Sequence, residues 1–220
     1  MAAEGIRRLR TKIIHSGKKK ALQSILITST SAGEGKTLIS ASLGVALAQG
    51  IDQYALLVDC DLRRPTLASL FGLGNDKGLS NFLINGTDLS ELIKKTSQDK
   101  LSLIPSGTPP PNPAELLDSD RMKSMIQELS RRYPDRLVIF DSPPIEVAAE
   151  TQVLAKHVDG IVLVVRWGKS SRQLTQKAIN AIGKEKIIGI VFNAFEVNGI
   201  ESRLAQIKGY DSAYKYGQGY

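Results

Sequence analysis

Lys36, Thr37, Asp59, Asp61 and Asp141 are the residues whose types and spacing point to chemistry. A lysine beside a hydroxyl, with carboxylates elsewhere in the chain, suits a polyphosphate and its divalent cation. Lys36 offers a mobile point charge for β- and γ-phosphates, and the Thr37 hydroxyl is placed to ligate magnesium. Asp59 and Asp61 stand two apart, so in extended chain they point the same way while Cys60 points away, as a small packing residue. Two carboxylates side by side repel unless a cation or a proton transfer justifies them, and magnesium does. An aspartate-rich turn capping a helix is the competing reading. The Arg63-Arg64-Pro65 that follows weakens it, because arginines beside two acids suit a phosphate or ion-pair site.

These residues need elements that deliver them to one place. Ser24 to Thr37 reads SILITSTSAGEGKT, an apolar run (Ile25, Leu26, Ile27), a glycine-bearing turn and then a helical pattern over Leu38 to Gln49. Strand, loop and helix in that order form the context of a phosphate-binding loop. Gly33 and Gly35 let backbone N–H groups close around phosphate oxygens, and the first helical turn adds unpaired N–H groups and a positive dipole end. The expected nucleotide cradle is Ser31, Ala32, Gly33, Glu34, Gly35, Lys36, Thr37 and Leu38. It departs from GxxxxGK[ST] at one point, Thr30, where the pattern asks for glycine.

The segment YALLVDCD places Ala55 to Val58 in a buried parallel strand with Asp59 at its C-terminal end, where ligands of open α/β sheets bind. LVIFDSPP delivers Asp141 to the end of another strand, from which a carboxylate holds magnesium through water. Leu101 to Ile104, Gly160 to Val165 and Ile187 to Phe192 complete the strand set. Helices are expected over 2–15, Ala114 to Leu117 with Pro113 in the first turn, Arg121 to Arg132, Ala148 to His157 and Arg172 to Ile182. Residues 66–100 read as short helices and turns, and SGTPPPNP (Ser106 to Pro113) as a stiff loop bordering the site. The alternation predicts an α/β fold, a doubly wound, mostly parallel sheet. Asn193 ends the last strand, where its amide either reads a base or caps a turn. His15, His157 and Trp167 read as structural, packing or exposed positions.

Composition agrees with this picture. At 220 residues and 42% hydrophobic, the chain is long enough for one α/β domain with a sizeable core. No apolar run approaches the ~20 residues of a membrane span, and the N-terminus lacks the apolar core of a signal peptide. A single cysteine excludes an internal disulfide and fits a reducing compartment. The net charge of +7 suits nucleic acid, an anionic membrane surface or an anionic ligand. Glu4, Arg7 and Arg10, at i, i+3 and i+6, form a charged stripe that either pairs within its helix or reaches a neighbouring subunit. Lys18 to Lys20 read as a solvated basic turn.

The ending is unusual. Tyr210, Tyr214, Tyr216 and Tyr220 follow neither a helix face nor a strand and are interleaved with glycines, which predicts a flexible segment from residue 208. Nucleic-acid stacking has only Lys208 and Lys215 to support it, so no nucleic-acid partner is expected. Phosphorylation fits better, because four phosphates add roughly −6 to −8 charge.

These motifs together resemble the catalytic domain of the bacterial tyrosine kinases of capsule and exopolysaccharide export. Glu4-x-x-Arg7-x-x-Arg10 is similar to that family's oligomerisation motif, GEGKT to its Walker A, LLVDCDLRRP to its Walker A′, LVIFDSPP to its Walker B, and the ending to its tyrosine cluster. Ala32 stands where proline is common, and Cys60 where Ala or Ser is usual. The resemblance implies a kinase domain over 1–207, with an oligomerisation helix over 1–17, and a tyrosine tail over 208–220. It implies transfer of the γ-phosphoryl of ATP to tyrosine, with Thr37 and Asp61 on Mg2+, Asp141 on it through water and Asp59 deprotonating the acceptor. The implied partners are other copies in a ring, a transmembrane polysaccharide co-polymerase activator, fused or separate, a cognate tyrosine phosphatase and sugar-nucleotide enzymes. The implied location is the cytoplasmic face of the bacterial inner membrane. A regulatory ATPase of the partitioning or division-site type would share the fold, but would carry a second lysine where this chain has Ser31 and would not need the tail. A non-catalytic ATP-binding assembly module would not need Asp59 and Asp61.

Overall fold

The structure, a computed structural model, describes residues 2–15, 22–132 and 135–194. In chain order the elements are α1 (Ala2–Ile14), β1 (Ser24–Ser29), α2 (Lys36–Ala48), β2 (Tyr54–Asp59), α3 (Leu67–Leu70), α4 (Leu79–Asn85), α5 (Leu89–Leu92), β3 (Lys94–Lys95), β4 (Leu101–Ile104), α6 (Pro113–Leu117), α7 (Asp120–Arg132), β5 (Arg136–Asp141), α8 (Ala149–His157), β6 (Gly160–Arg166), α9 (Arg172–Ile182) and β7 (Ile187–Asn193). The seven strands form one sheet in the order β3-β4-β2-β5-β1-β6-β7. Only β3 runs antiparallel to its neighbour.

Both faces of the sheet are covered, which is why the central strands read as continuous apolar runs rather than as alternation. Side chains still alternate between faces. Ile25 and Ile27 of β1 pack with Leu9 and Ile13 of α1 and Leu43 and Leu47 of α2. Leu26 goes to the opposite cluster, with Met122, Met125 and Ile126 of α7, Leu154 of α8 and Ala178 of α9. The doubly wound α/β expectation is met.

Most boundaries shift by a residue or two, and the larger differences have local reasons. β1 includes Ser24, Thr28 and Ser29, which are buried yet satisfied: the Ser24 hydroxyl donates to Asp159, Thr28 to the Pro143 carbonyl and Ser29 to the Ser31 carbonyl. α2 begins at Lys36, directly after Gly35, which stands at φ 92°. β3 is a two-residue edge strand whose pairing of Lys94 with Leu103 no sequence period could signal. Its lysines also discourage further strand addition at that edge. Residues 184–186 add a short 3-10 turn between α9 and β7.

β1 lies between β5 and β6, so the chain leaves it toward one side of the sheet and later returns on the other. That reversal opens a crevice beyond the carboxyl ends of β1, β2 and β5.

Candidate active site

The loop between β1 and α2 depends on two backbone positions. Gly33 and Gly35 have φ of 76° and 92°, a region costly for any residue with a Cβ. A Cβ on Gly35 would also collide with the Asn193 amide, whose Nδ2 donates to the Glu34 carbonyl at 2.8 Å. Asn193, at the end of β7, is thus brought onto the loop. The Ser31 hydroxyl donates to Glu146 at 2.6 Å. Ala32, Gly33 and Leu38 are exposed, whereas Glu34 is buried with its carboxylate turned back onto the loop. At the start of α2 the first-turn N–H groups lack helical acceptors and point into the crevice.

Three carboxylates meet Lys36 there. Asp59 and Asp141 are register partners at the ends of adjacent strands. Asp61 accepts from Lys36 Nζ at 3.0 Å, and this pair is shielded, with 13% and 10% of the side chains exposed. Lys36 Nζ also lies 3.3 Å from Thr37 Oγ1. Asp59 is fully buried. Its Oδ1 accepts from the Asp61 amide and its Oδ2 from the Leu67 amide, each at 3.1 Å, so it shapes the turn that presents Asp61. Asp141 Oδ1 accepts from Ser40 Oγ at 2.9 Å, while its buried Oδ2 has no protein partner.

The electrostatics follow from this crowding. Burial, then the charge of Asp141, raises Asp59 to about 8. Burial likewise raises Asp141, against the opposing pull of Lys36 and the hydroxyls of Thr37 and Ser40. For Lys36 burial acts downward, but Asp141, Asp61 and Asp59 outweigh it and hold the ammonium above the ordinary lysine value. Burial, with the three aspartates around it, pushes the Cys60 thiol well up, in keeping with a packing role. A cluster with this surplus of negative charge is arranged for a cation. The unpartnered Asp141 oxygen beside the Thr37 hydroxyl and Asp61 is a donor set that fits magnesium. Among the described residues no three His, Cys, Asp or Glu side chains form a protein-only metal cage, and magnesium shared with phosphates needs none.

Similarity to known proteins identifies the fold and the family. Residues 25–209 match the model of the CobQ/CobB/MinD/ParA nucleotide-binding domain. Tyrosine-protein kinase YwqD of Bacillus subtilis (strain 168) is 37% identical over 193 residues, spanning 87% of this chain and 80% of that protein. The chain belongs to the bacterial tyrosine-protein kinases. The solved kinase domain of Escherichia coli tyrosine kinase ETK superposes with a TM-score of 0.83 at 30% identity, covering 90% of this chain and 77% of that one. Some members of the kinase family are much longer: the match to tyrosine-protein kinase etk of Escherichia coli (strain K12) has 31% identity and takes in 98% of this chain but 28% of that protein. The resemblance to the family and the nucleotide-binding fold are both borne out.

Several further residues of the site stand at positions with little distinctive local sequence. Ser40 lies one helical turn beyond Lys36, a spacing that places it on the same face. Arg166 ends β6, and Glu146 and Ser170 follow strand ends, as site residues of this fold do, but their types are common there. Arg63 pairs with the buried Glu150 of α8 at 3.3 Å, so the arginine pair is partly an ion-pair site. Trp167 packs edge-on against Phe192, their ring centroids 6.2 Å apart.

The N-terminal stripe divides. Arg7 and Arg8 each lie 3.6 Å from Glu4 on the exposed face of α1. Arg10 instead donates to the Ala46 carbonyl at 2.8 Å. An i, i+6 spacing rotates about 120° round a helix of 3.6 residues per turn, which carries Arg10 off the stripe toward α2. Tyr210, Tyr214, Tyr216, Tyr220 and Lys18 to Lys20 lie outside the described residues.

Proposed function

We propose that this tyrosine-protein kinase binds ATP with Mg2+ in the crevice and transfers the γ-phosphoryl group to tyrosines of its own ending, Tyr210, Tyr214, Tyr216 and Tyr220. The observation that carries the reading is the meeting of Lys36 with Asp59, Asp61 and Asp141 at the start of a helix whose preceding loop is shaped by Gly33 and Gly35. Thr37 and Asp61 would hold the metal directly and Asp141 through water, and the metal would supply charge neutralisation for the transferring phosphoryl group. Lys36, parked on Asp61 in this structure, would move to the β- and γ-phosphates, where its positive charge opposes the charge of the phosphate oxygens. In the transfer the phenol oxygen bonds to phosphorus, the bond to the β-phosphate oxygen breaks, and the phenolic proton passes to a base. Asp59 is the proposed base. Its oxygens hold the Asp61 and Leu67 amides, so the turn 60–67 has to open for a phenol to reach it.

The motif resemblance supports trans-phosphorylation in a homo-oligomeric ring through Glu4 and Arg7, Arg10 being turned inward onto Ala46, together with a membrane activator of the polysaccharide co-polymerase type, an opposing tyrosine phosphatase, sugar-nucleotide enzymes as further substrates, and control of capsule or exopolysaccharide export at the inner membrane. Among the described residues no helix is long and apolar enough to cross a membrane, so a membrane location would come through that activator.

Intact-mass and peptide spectrometry after incubation with ATP and magnesium tests the reading, beside a Lys36→Met chain. Phosphate on the ending's tyrosines, absent from Lys36→Met, is the expected result. No phosphate, even with the activator's cytoplasmic segment fused in front, overturns it.

A further inference from the structure

We propose that Glu34 is a positioning residue whose carboxylate shapes the nucleotide loop from within and does not itself touch the nucleotide. Glu34 occupies the variable position of GEGKT and is only 4% exposed, unusual for a glutamate at the mouth of a crevice. Its Oε2 accepts from the backbone amides of Thr30 at 2.8 Å and Ser31 at 3.1 Å. Its Oε1 accepts from the Ser170 hydroxyl, in the turn between β6 and α9. Ser170 is itself fixed, because its Oγ accepts the Arg166 amide at 2.8 Å. The Arg166 guanidinium donates to the Gly33 carbonyl at 3.1 Å, and the Asn193 amide to the Glu34 carbonyl. One carboxylate therefore ties the entry of the loop, residues 30 and 31, to a turn more than a hundred residues away, and two neighbouring side chains tie down its exit.

The physical case is preorganisation. A loop whose N–H groups converge on one point is strained by like dipoles until an anion arrives. A buried carboxylate that accepts two of those amides relieves this strain at the entry and leaves the later amides to the phosphates. Such charge-assisted bonds are among the stronger ones, and a loop already in shape loses less entropy on binding. The arrangement also accounts for Thr30 at the position where the phosphate-loop pattern has glycine. The Thr30 amide is committed to Glu34, so that backbone need not approach a phosphate closely and its Cβ is tolerated.

The inference rests on the nucleotide-binding reading of the loop but not on tyrosine phosphorylation. Its test is calorimetric titration with MgADP, and amide hydrogen exchange without nucleotide, on the full chain and on Glu34→Ala, Glu34→Gln, Ser170→Ala and Glu34→Ala/Ser170→Ala. Glu34→Ala should weaken MgADP about tenfold and speed exchange at Thr30 and Ser31, the scale of losing hydrogen bonds to a charged group. Glu34→Gln keeps an acceptor oxygen for those amides and an N–H for Ser170 Oγ, and should stay within about threefold of the parent. Ser170→Ala should weaken binding less than Glu34→Ala. The double change should be no weaker than Glu34→Ala, because both act through one network. In a turnover assay the loss should fall on KM for ATP with kcat little changed, as for binding made equally in ground and transition states.

Unchanged affinity in a folded Glu34→Ala chain, a glutamine variant as weak as the alanine one, or additive losses in the double variant would each overturn the proposal. If Glu34→Ala does not fold, the glutamine and serine variants decide alone: faster exchange at Thr30 and Ser31 in Ser170→Ala, with Glu34→Gln near the parent, supports it, and unchanged exchange in Ser170→Ala sinks it. A chain that binds MgADP yet phosphorylates no tyrosine, even with the activator's cytoplasmic segment fused in front, would remove the autophosphorylation reading and leave this one standing.

Discussion

Asp59 shows how one side chain can carry a cost at one pH and a function at another. In the metal-free chain, burial and the neighbouring Asp141 lift its pKa to about 8, against about 4 in unfolded chain. The folded state therefore holds this proton more tightly than the unfolded one. The stability it brings is complete below about pH 4 and is lost as pH rises toward 8. Melts in a chelator between about pH 5 and about pH 8 should show the metal-free chain losing stability with rising pH, and Asp59→Asn flattening that slope. His157 works the other way, since burial and nearby lysines lower its pKa. The comparison with Asp59→Asn at each pH separates the two. A slope that is the same in both chains would refute the assignment. Magnesium with nucleotide should restore stability at the upper end, because a bound cation favours the ionised carboxylates.

Among the elements, the passage from β1 through the loop into α2 carries most of the site, and its glycines are not equivalent to those elsewhere. Gly35 combines a φ of 92° with the Asn193 side chain where a Cβ would go. Gly35→Ala should cost about 1–2 kcal/mol of stability from the left-handed backbone alone, and should also lower MgADP affinity by displacing Asn193. Gly5, at the end of the first turn of α1, has nothing within 4 Å of its would-be Cβ. Gly5→Ala should therefore stabilise the chain by about 0.5–1 kcal/mol, the ordinary helix-interior difference. Chemical denaturation of the two variants side by side tests the contrast, and equal losses would show that the loop geometry is not what constrains Gly35.

Across the whole molecule, α1 lies against the face that α2 occupies, anchored by Leu9 and Ile13 and by the bond from Arg10 to Ala46. Its outer face carries Glu4, Arg7 and Arg8. Exposed pairs of this kind contribute about 0–1 kcal/mol to the fold, which leaves them available for a neighbour. Arg7→Ala should lower the particle mass seen by light scattering with little change in unfolding free energy. Arg10→Ala should instead destabilise the chain by about 1 kcal/mol, having lost a bond within it. Unchanged mass in Arg7→Ala would remove Arg7 from the proposed ring interface. The +7 charge gives phosphorylation a lever at this scale: four phosphates on the ending would add roughly −6 to −8, which favours disassembly, and a larger mass for the phosphorylated chain would refute that.

Spacing along the chain was enough to locate Lys36, Thr37, Asp59 and Asp141, because strand-then-loop grammar is a local rule that needs no partner; Asp61 lies past the strand end, where a turn held by the Asp59 carboxylate and not extended chain presents it. The parallel sheet was legible for the same reason: apolar runs of strand length alternating with helical periods can bury themselves in few ways. What lies between elements was not legible. That Ser40 reaches Asp141, that Arg10 turns to Ala46, and that Glu34 reaches across to Ser170 all depend on how distant segments are brought side by side. Hydrogen bonds across 101, 36 and 136 residues leave no period in the sequence. Glutamate in GEGKT, read locally, belongs to a nucleotide cradle. Only the packing of the β6–α9 turn against the loop supplies the hydroxyl that, with two amides, takes its charge inward.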